Sequence, residues 1–197
     1  MDSPEYARSV FINGPFDATY RDIFDAVIFT VFHCGYIARC ARELDDASQT
    51  RIDKILRMIK ECKFGIHDIS RTEPDPAYGL PRFNMPFELG IFLGAKSFGT
   101  REQKRKNCLI LDRERYRYQI FISDIAGQDI CAHGDDSEKV ISLVRDWLRK
   151  ASGRITIPGG SEIKRRYDLF NSELPLMCKR LKLEGVGGWP YAGLVFC

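Results

Sequence analysis

The sequence lacks the signatures that announce most enzyme and binding classes. No apolar run approaches the ~18 residues that cross a bilayer, so no membrane partner is expected. The first residues, Met1-Asp2-Ser3-Pro4-Glu5, have neither the basic nor the apolar region of a signal peptide, and the expected location is the cytoplasm. There is no Cys-x-x-Cys and no Cys/His cluster at zinc spacing, so no metal is expected. Neither Gly-x-x-x-x-Gly-Lys nor Gly-x-Gly-x-x-Gly occurs, which removes the common phosphate and dinucleotide loops. A Gly-x-Ser-x-Gly elbow is absent. Only three histidines are present, His33, His67 and His133, and none has a sequence partner that suggests a triad. Charge of one sign is not in excess either. With 30 basic against 27 acidic residues the net charge is +3, a balance that argues neither for nor against nucleic acid, which is not an expected partner. No cofactor is implied by any of these patterns.

What remains is a chain of 197 residues, long enough for one sizeable core with an appendage. Its seven cysteines are scattered among apolar residues and read as small buried hydrophobes in a reduced protein. Ser9-Val10-Phe11-Ile12-Asn13 is a short β-branched and aromatic run, hence a strand, ended by Gly14-Pro15. Ile23, Phe24, Val27, Ile28 and Val31 recur at helical spacing over residues 20–33, and Gly35 stops that helix. Tyr36 to Cys40 is a second strand. Ser48 is placed to cap a helix carrying Ile52, Ile55, Leu56 and Ile59. Phe64 to Ile69 is a third strand and Asn107 to Asp112 a fourth. Gln119 to Ile122 is a fifth strand or a short apolar link. Ser137 caps a helix to about Lys150. Gly153 to Gly160 marks the best internal boundary, giving an α/β unit over residues 1–152 and an extension over 153–197. The extension reads as a basic helix, broken or kinked at Pro175, and an apolar tail from Trp189 to Phe196. Such a tail suggests a homo-oligomer formed through the C-terminal segment.

Strands alternating with helices predict an open, doubly wound, flavodoxin-like parallel sheet of about five strands with helices on both faces. Ligands in such folds sit beyond the carboxyl ends of the strands. That rule gathers the polar residues. Asn13-Gly14-Pro15-Phe16-Asp17 follows the first strand, and Asp68 ends the third. A loop from Thr72 to Arg82, rich in proline, then leads to Asn84-Met85-Pro86-Phe87-Glu88-Leu89-Gly90. Asn84 suits a helix N-cap and Pro86 the first turn. Everything after Pro86 is apolar except Glu88. An acid there can simply complement the helix dipole. An acid at the lip of a buried helix also suggests a pocket, and a carboxylate without a metal suits glycosyl chemistry. Gly90 and Gly94, four apart, leave room for a neighbouring backbone.

The run Val10-Phe11-Ile12-Asn13-Gly14-Pro15-Phe16, then Asp68, then Phe87-Glu88-Leu89-Gly90 opening a helix, resembles the nucleoside 2-deoxyribosyltransferases. It also resembles the related TIR-type domains that cleave NAD. The resemblance spans roughly residues 9–112. It implies that Glu88 is the nucleophile at the anomeric carbon and that Asp68 contacts sugar or base. It also implies that Gly14, Pro15 and Phe16 line the base pocket, and it makes an oligomer the expected assembly. Asp17, Tyr20 and Asn84 join them as candidates, Tyr20 or Phe16 for stacking and Asn84 for a sugar hydroxyl. The implied activity is an N-glycosidase or deoxyribosyltransferase on a nucleoside or nucleotide. An NAD glycohydrolase is the alternative, favoured if the basic run Arg101 to Lys106 holds a pyrophosphate. A nucleotide-sensing module with a structural Glu88 is the third. Arg82-Phe83-Asn84-Met85-Pro86 is bulkier than the small polar stretch usual in that family, so the substrate is the less constrained part.

Overall fold

The computed structural model describes residues 3–41, 48–75, 77–180 and 182. A short helix, α1 (Pro4–Arg8), precedes the first strand, and its cap Ser3 accepts from the Tyr6 N–H through Oγ at 3.1 Å. Five strands follow, β1 (Ser9–Asn13), β2 (Ile37–Arg39), β3 (Phe64–Asp68), β4 (Asn107–Asp112) and β5 (Ile130–Ala132), and they form one sheet in the order β2-β1-β3-β4-β5. Every pairing is parallel. The remaining helices are α2 (Arg21–His33), α3 (Arg51–Glu61), α4 (Asn84–Phe98), α5 (Ser137–Ser152) and α6 (Gly160–Arg180). This is the expected open, doubly wound fold.

Both faces of the sheet are covered, which is why β1 and β3 read as continuous apolar runs rather than as alternation. On one face Val10, Ile12 and Ile66 meet Phe24, Val27 and Val31 of α2 and Val140, Val144 and Leu148 of α5. On the other, Phe11 meets Ile55, Met58 and Ile59 of α3 and Phe92 of α4. Within the helices, apolar residues recur at helical spacing because only one stripe of each faces the sheet.

The docking of α4 positions the rest. A Cβ at Gly65 would come within 2.8 Å of the Phe92 ring and of His67 Nε2, so only glycine lets α4 approach β3 this closely. Lys106, fully buried, locks the same side. Its Nζ donates to the Ile59 carbonyl at 2.5 Å and to the Cys62 carbonyl, and it lies 4.8 Å from the Phe92 ring centre. Burial, against the charges of Cys62 and Glu102, brings its pKa down to about 8.

Several expectations shift. The fifth strand is Ile130–Ala132, while Arg117–Ile120 is a 3-10 turn entered through a left-handed Tyr116 at φ 61°. Helix caps fall one or two residues away from their predicted places. Thr50, not Ser48, caps α3, and Asp136, not Ser137, caps α5 with both first-turn N–H groups on its Oδ1. Phe83 occupies the N-cap of α4, so Asn84 is its first helical residue and does not cap it. A Cβ at Gly90 or Gly94 would meet nothing within 4 Å, so that face of α4 is open and receives no backbone. The basic helix α6 runs through Pro175 without ending there. Ile163 and Tyr167 of α6 belong to the same core as α2 and α5, so this part of the extension packs on the α/β unit. The apolar tail, on which the oligomer expectation rests, lies outside the described residues. No helix among the described residues is long and apolar enough to cross a membrane.

Candidate active site

In the order β2-β1-β3-β4-β5 the winding direction reverses between β1 and β3, and the crevice beyond their carboxyl ends is the ligand position of such sheets. A cavity of about 350 Å³ occupies that crevice. Its wall comes from the β1 loop (Asn13, Gly14, Pro15, Phe16, Asp17), from the β3–α4 loop and from the first turn of α4 (Asn84, Met85, Glu88). Of the residues singled out from sequence, Gly14, Pro15, Phe16, Asp17, Asn84 and Glu88 therefore converge on one space. Tyr20 and Asp68 do not line it.

Glu88 is 5% exposed and has no hydrogen bond or ion pair among the described residues. Glu88 lines the cavity. Burial pushes its pKa up to about 7, against the charge of Arg51, which lies beyond ion-pair distance. The local reason is simple. Phe92, one turn along, is pinned into the Gly65 notch, so residue 88 sits at the sheet edge on the same helical stripe.

Asn13 forms the cavity floor and its orientation is fixed. The side-chain NH₂ donates to the Met85 carbonyl at 2.9 Å and lies 3.1 Å from His67 Nδ1. The Met85 carbonyl only accepts, so the amide nitrogen must face it, and Oδ1 is left as the acceptor for a ligand. His67 is fully buried beside Phe11 and Phe92, and burial followed by the Lys106 charge brings its pKa to about 3. The neutral ring accepts a hydrogen bond from the Asn13 amide on Nδ1 and holds that amide in place.

Asp68 lies behind this wall, fully buried. Oδ2 accepts from the Tyr20 hydroxyl at 2.6 Å, and Oδ1 accepts from the Ser70 N–H at 2.8 Å. Nε2 of His133 lies 3.2 Å from Oδ2, and Nδ1 of His133 accepts from the Asp135 N–H at 3.0 Å. Burial and the Asp68 charge raise the Tyr20 pKa well above its ordinary value, so the phenol keeps its proton and donates it. The Tyr20 ring in turn packs against Gly14, where a Cβ would be 3.4 Å away. Asp68 thus reaches the cavity only through the shape of the Gly14 loop.

No family model, curated protein or solved structure matches the chain. The geometry carries the functional argument alone.

Sequence reasoning did not single out the arginines of this wall, Arg51, Arg71 and Arg82. Nε and Nη2 of Arg71 donate to the two Asp17 oxygens at 3.1 and 2.9 Å, and Arg71 also reaches Thr19. Burial opposes ionisation of Asp17, but the hydrogen bonds from Thr19 and Arg71 outweigh it and hold its pKa below the ordinary value. Arg117 was also missed. It ties Asp112 Oδ1 to the Ser70 carbonyl and to Thr72 Oγ1, at 2.6, 2.5 and 2.6 Å, and so anchors the start of the loop that walls the cavity. The basic run Arg101 to Lys106 precedes β4, at the opposite edge of the sheet, and contributes nothing to the cavity wall.

Proposed function

We propose that the chain is an N-glycosyl hydrolase or transferase acting on a nucleoside or nucleotide, with Glu88 as the reacting carboxylate. The observation that supports this most is Glu88 itself, a buried acid with no hydrogen bond or ion pair among the described residues. Partial burial at the cavity wall makes its charge costly, which is what raises its pKa. Such a cost is characteristic of a group kept for chemistry.

Breaking an N-glycosidic bond builds positive charge on the anomeric carbon. An ionised Glu88 below that carbon stabilises the charge or bonds to it. The bond pair leaves with the base nitrogen, which takes a proton from solvent. Water then adds hydroxide to the anomeric carbon and returns a proton, so hydrolysis balances as nucleoside plus water giving sugar plus free base. In transfer, a second base takes the place of water. Asn13 Oδ1 accepts a hydrogen bond from the substrate, while Gly14, Pro15 and Phe16 supply the flat apolar surface a base needs. Asn84, at the first turn of α4, is within the wall for a sugar hydroxyl.

The test is product analysis after incubation with a panel of nucleosides, nucleotides and NAD. Free base formed by the wild type and lost in Glu88→Gln supports the reading. Equal release by both proteins, or release from no substrate in the panel, overturns it.

A further inference from the structure

Three arginines line the cavity and they are not equivalent. Arg71 is committed to Asp17 through two oxygens. Among the acids of the wall, Glu73 is committed outward, its Oε1 lying 2.9 Å from Arg113 Nη1. Asp75 turns back into its own loop, where Oδ1 accepts from the Ala77 N–H at 2.8 Å. Arg51 and Arg82 are left. Neither has a hydrogen bond or an ion pair among the described residues, and both are exposed to the space that Glu88 faces. They come from distant parts of the chain, Arg51 from the first position of α3 and Arg82 from the end of the β3–α4 loop, and both line this cavity.

We propose that Arg51 and Arg82 bind a phosphate monoester, so that the substrate is a nucleoside 5′-monophosphate and not the free nucleoside. The inference rests on the N-glycosidase reading above and names its substrate class. An arginine offers a planar fork of N–H donors that fits two phosphate oxygens at once. Two unpaired forks match the dianionic charge of a monoester. A carboxylate could occupy the same forks, but the anionic group that nucleosides ordinarily carry is phosphate. The committed arginine has a part as well. By neutralising Asp17, Arg71 keeps that acid from repelling the phosphate.

The experiment compares kcat/KM for the common deoxy- and ribonucleosides with that for their 5′-monophosphates, using wild type, Arg51→Ala, Arg82→Ala and the double variant. The expected result is a preference for the monophosphate that falls roughly 10- to 100-fold in each single variant, mostly through KM. Inorganic phosphate should compete with the monophosphate. Calorimetric binding of the same monophosphates to Glu88→Gln, with and without Arg82→Ala, reads the phosphate site without turnover. Equal cleavage of nucleoside and monophosphate, unaffected by the arginine variants, overturns the phosphate site and leaves the N-glycosidase reading standing. Binding that depends on Arg82 in a protein that cleaves nothing supports the phosphate site while the glycosidase reading fails. Absence of both binding and cleavage overturns both.

Discussion

Asp68 and Glu88 are buried carboxylates near the same edge of the same sheet, and the fold treats them in opposite ways. Asp68 accepts from two donors, the Tyr20 hydroxyl and the Ser70 N–H, and the His133 ring lies 3.2 Å from its Oδ2. Glu88 has none among the described residues, and the Arg51 charge is what offsets its burial. Satisfied buried polar groups specify and rigidify a structure. An unsatisfied one is maintained at a cost, with the surrounding fold holding it in place. In sequence both are acids at the ends of elements; in the structure Asp68 is tied into the wall behind the Gly14 loop and Glu88 lines the cavity, the difference on which the proposal for Glu88 rests.

Removing Glu88 sharpens the comparison most. Glu88→Gln keeps the size of the side chain and its helix-forming tendency. Loss of a nucleophilic or charge-stabilising group of this kind costs roughly 10²–10⁴ in rate. Single-turnover kinetics on the active substrate, beside a melting curve, separates the two assignments. Near-normal turnover with a lowered melting temperature would move Glu88 to the scaffold side.

The same substitution has a pH signature of opposite sign in stability and activity. The folded pKa of Glu88, about 7, lies above its ordinary 4.5. Folded chains therefore hold a proton that unfolded chains have released between these values. Stability is greatest below pH 4.5, falls as pH rises through that window, and levels off above 7. The loss is at most about 3 kcal/mol. Glu88→Gln lacks this term, so above pH 7 it should melt higher than the wild type, and near pH 4 the two should converge. Activity runs the other way, because the reaction needs the ionised group. It should fall about tenfold per pH unit on the acid side of a midpoint near 7. Denaturant melts and rate profiles over pH 4–9 measure both, and a flat stability difference would show that Glu88 is not desolvated.

The counterpart test is Asp68→Asn. The amide replaces one acceptor with a donor inside a closed set of donors, so a buried hydrogen bond is lost or reversed, at about 1–3 kcal/mol. The melting temperature should fall by about 2–4 °C per kcal/mol for a chain of this size. Turnover of the folded fraction should change far less than in Glu88→Gln. Full stability with lost turnover would return Asp68 to the substrate.

These two acids also show what the sequence could reveal. Glu88 was legible because it is the one charge inside an apolar helical run, although a first-turn acid also has an ordinary role beside the helix dipole. The sheet was legible because parallel strands covered on both faces are continuous apolar runs. Arg51 and Arg82 look like any solvated arginine in sequence, and they become a pair only when α3 and the β3–α4 loop converge. His133 follows a strand, β5, of only three half-buried residues, which leaves no periodicity to read. The more strand-like stretch Gln119 to Ile122 begins within a 3-10 turn, because Tyr116 turns left-handed and Tyr118 is the residue that buries. Asp68 was placed at the right edge, but its burial behind Gly14 depends on Tyr20, 48 residues away.

Tyr20→Phe is the mildest test and the most direct measure of how the scaffold acid supports the site. It removes only the hydroxyl that donates to Asp68 Oδ2 at 2.6 Å. The ring remains against Gly14, so the loop wall keeps its shape. Asp68 Oδ2 is left with the His133 contact, and the lost hydrogen bond to a charged acceptor should cost about 1–2 kcal/mol. That corresponds to a drop in melting temperature of a few degrees. If Tyr20 serves only the scaffold, kcat and KM measured well below that melting temperature should stay within about threefold of wild type, a change of under 1 kcal/mol. A Tyr20→Phe protein that melts normally and loses turnover would place the hydroxyl on the substrate side, and with it the boundary drawn here between Asp68 and Glu88 would fail.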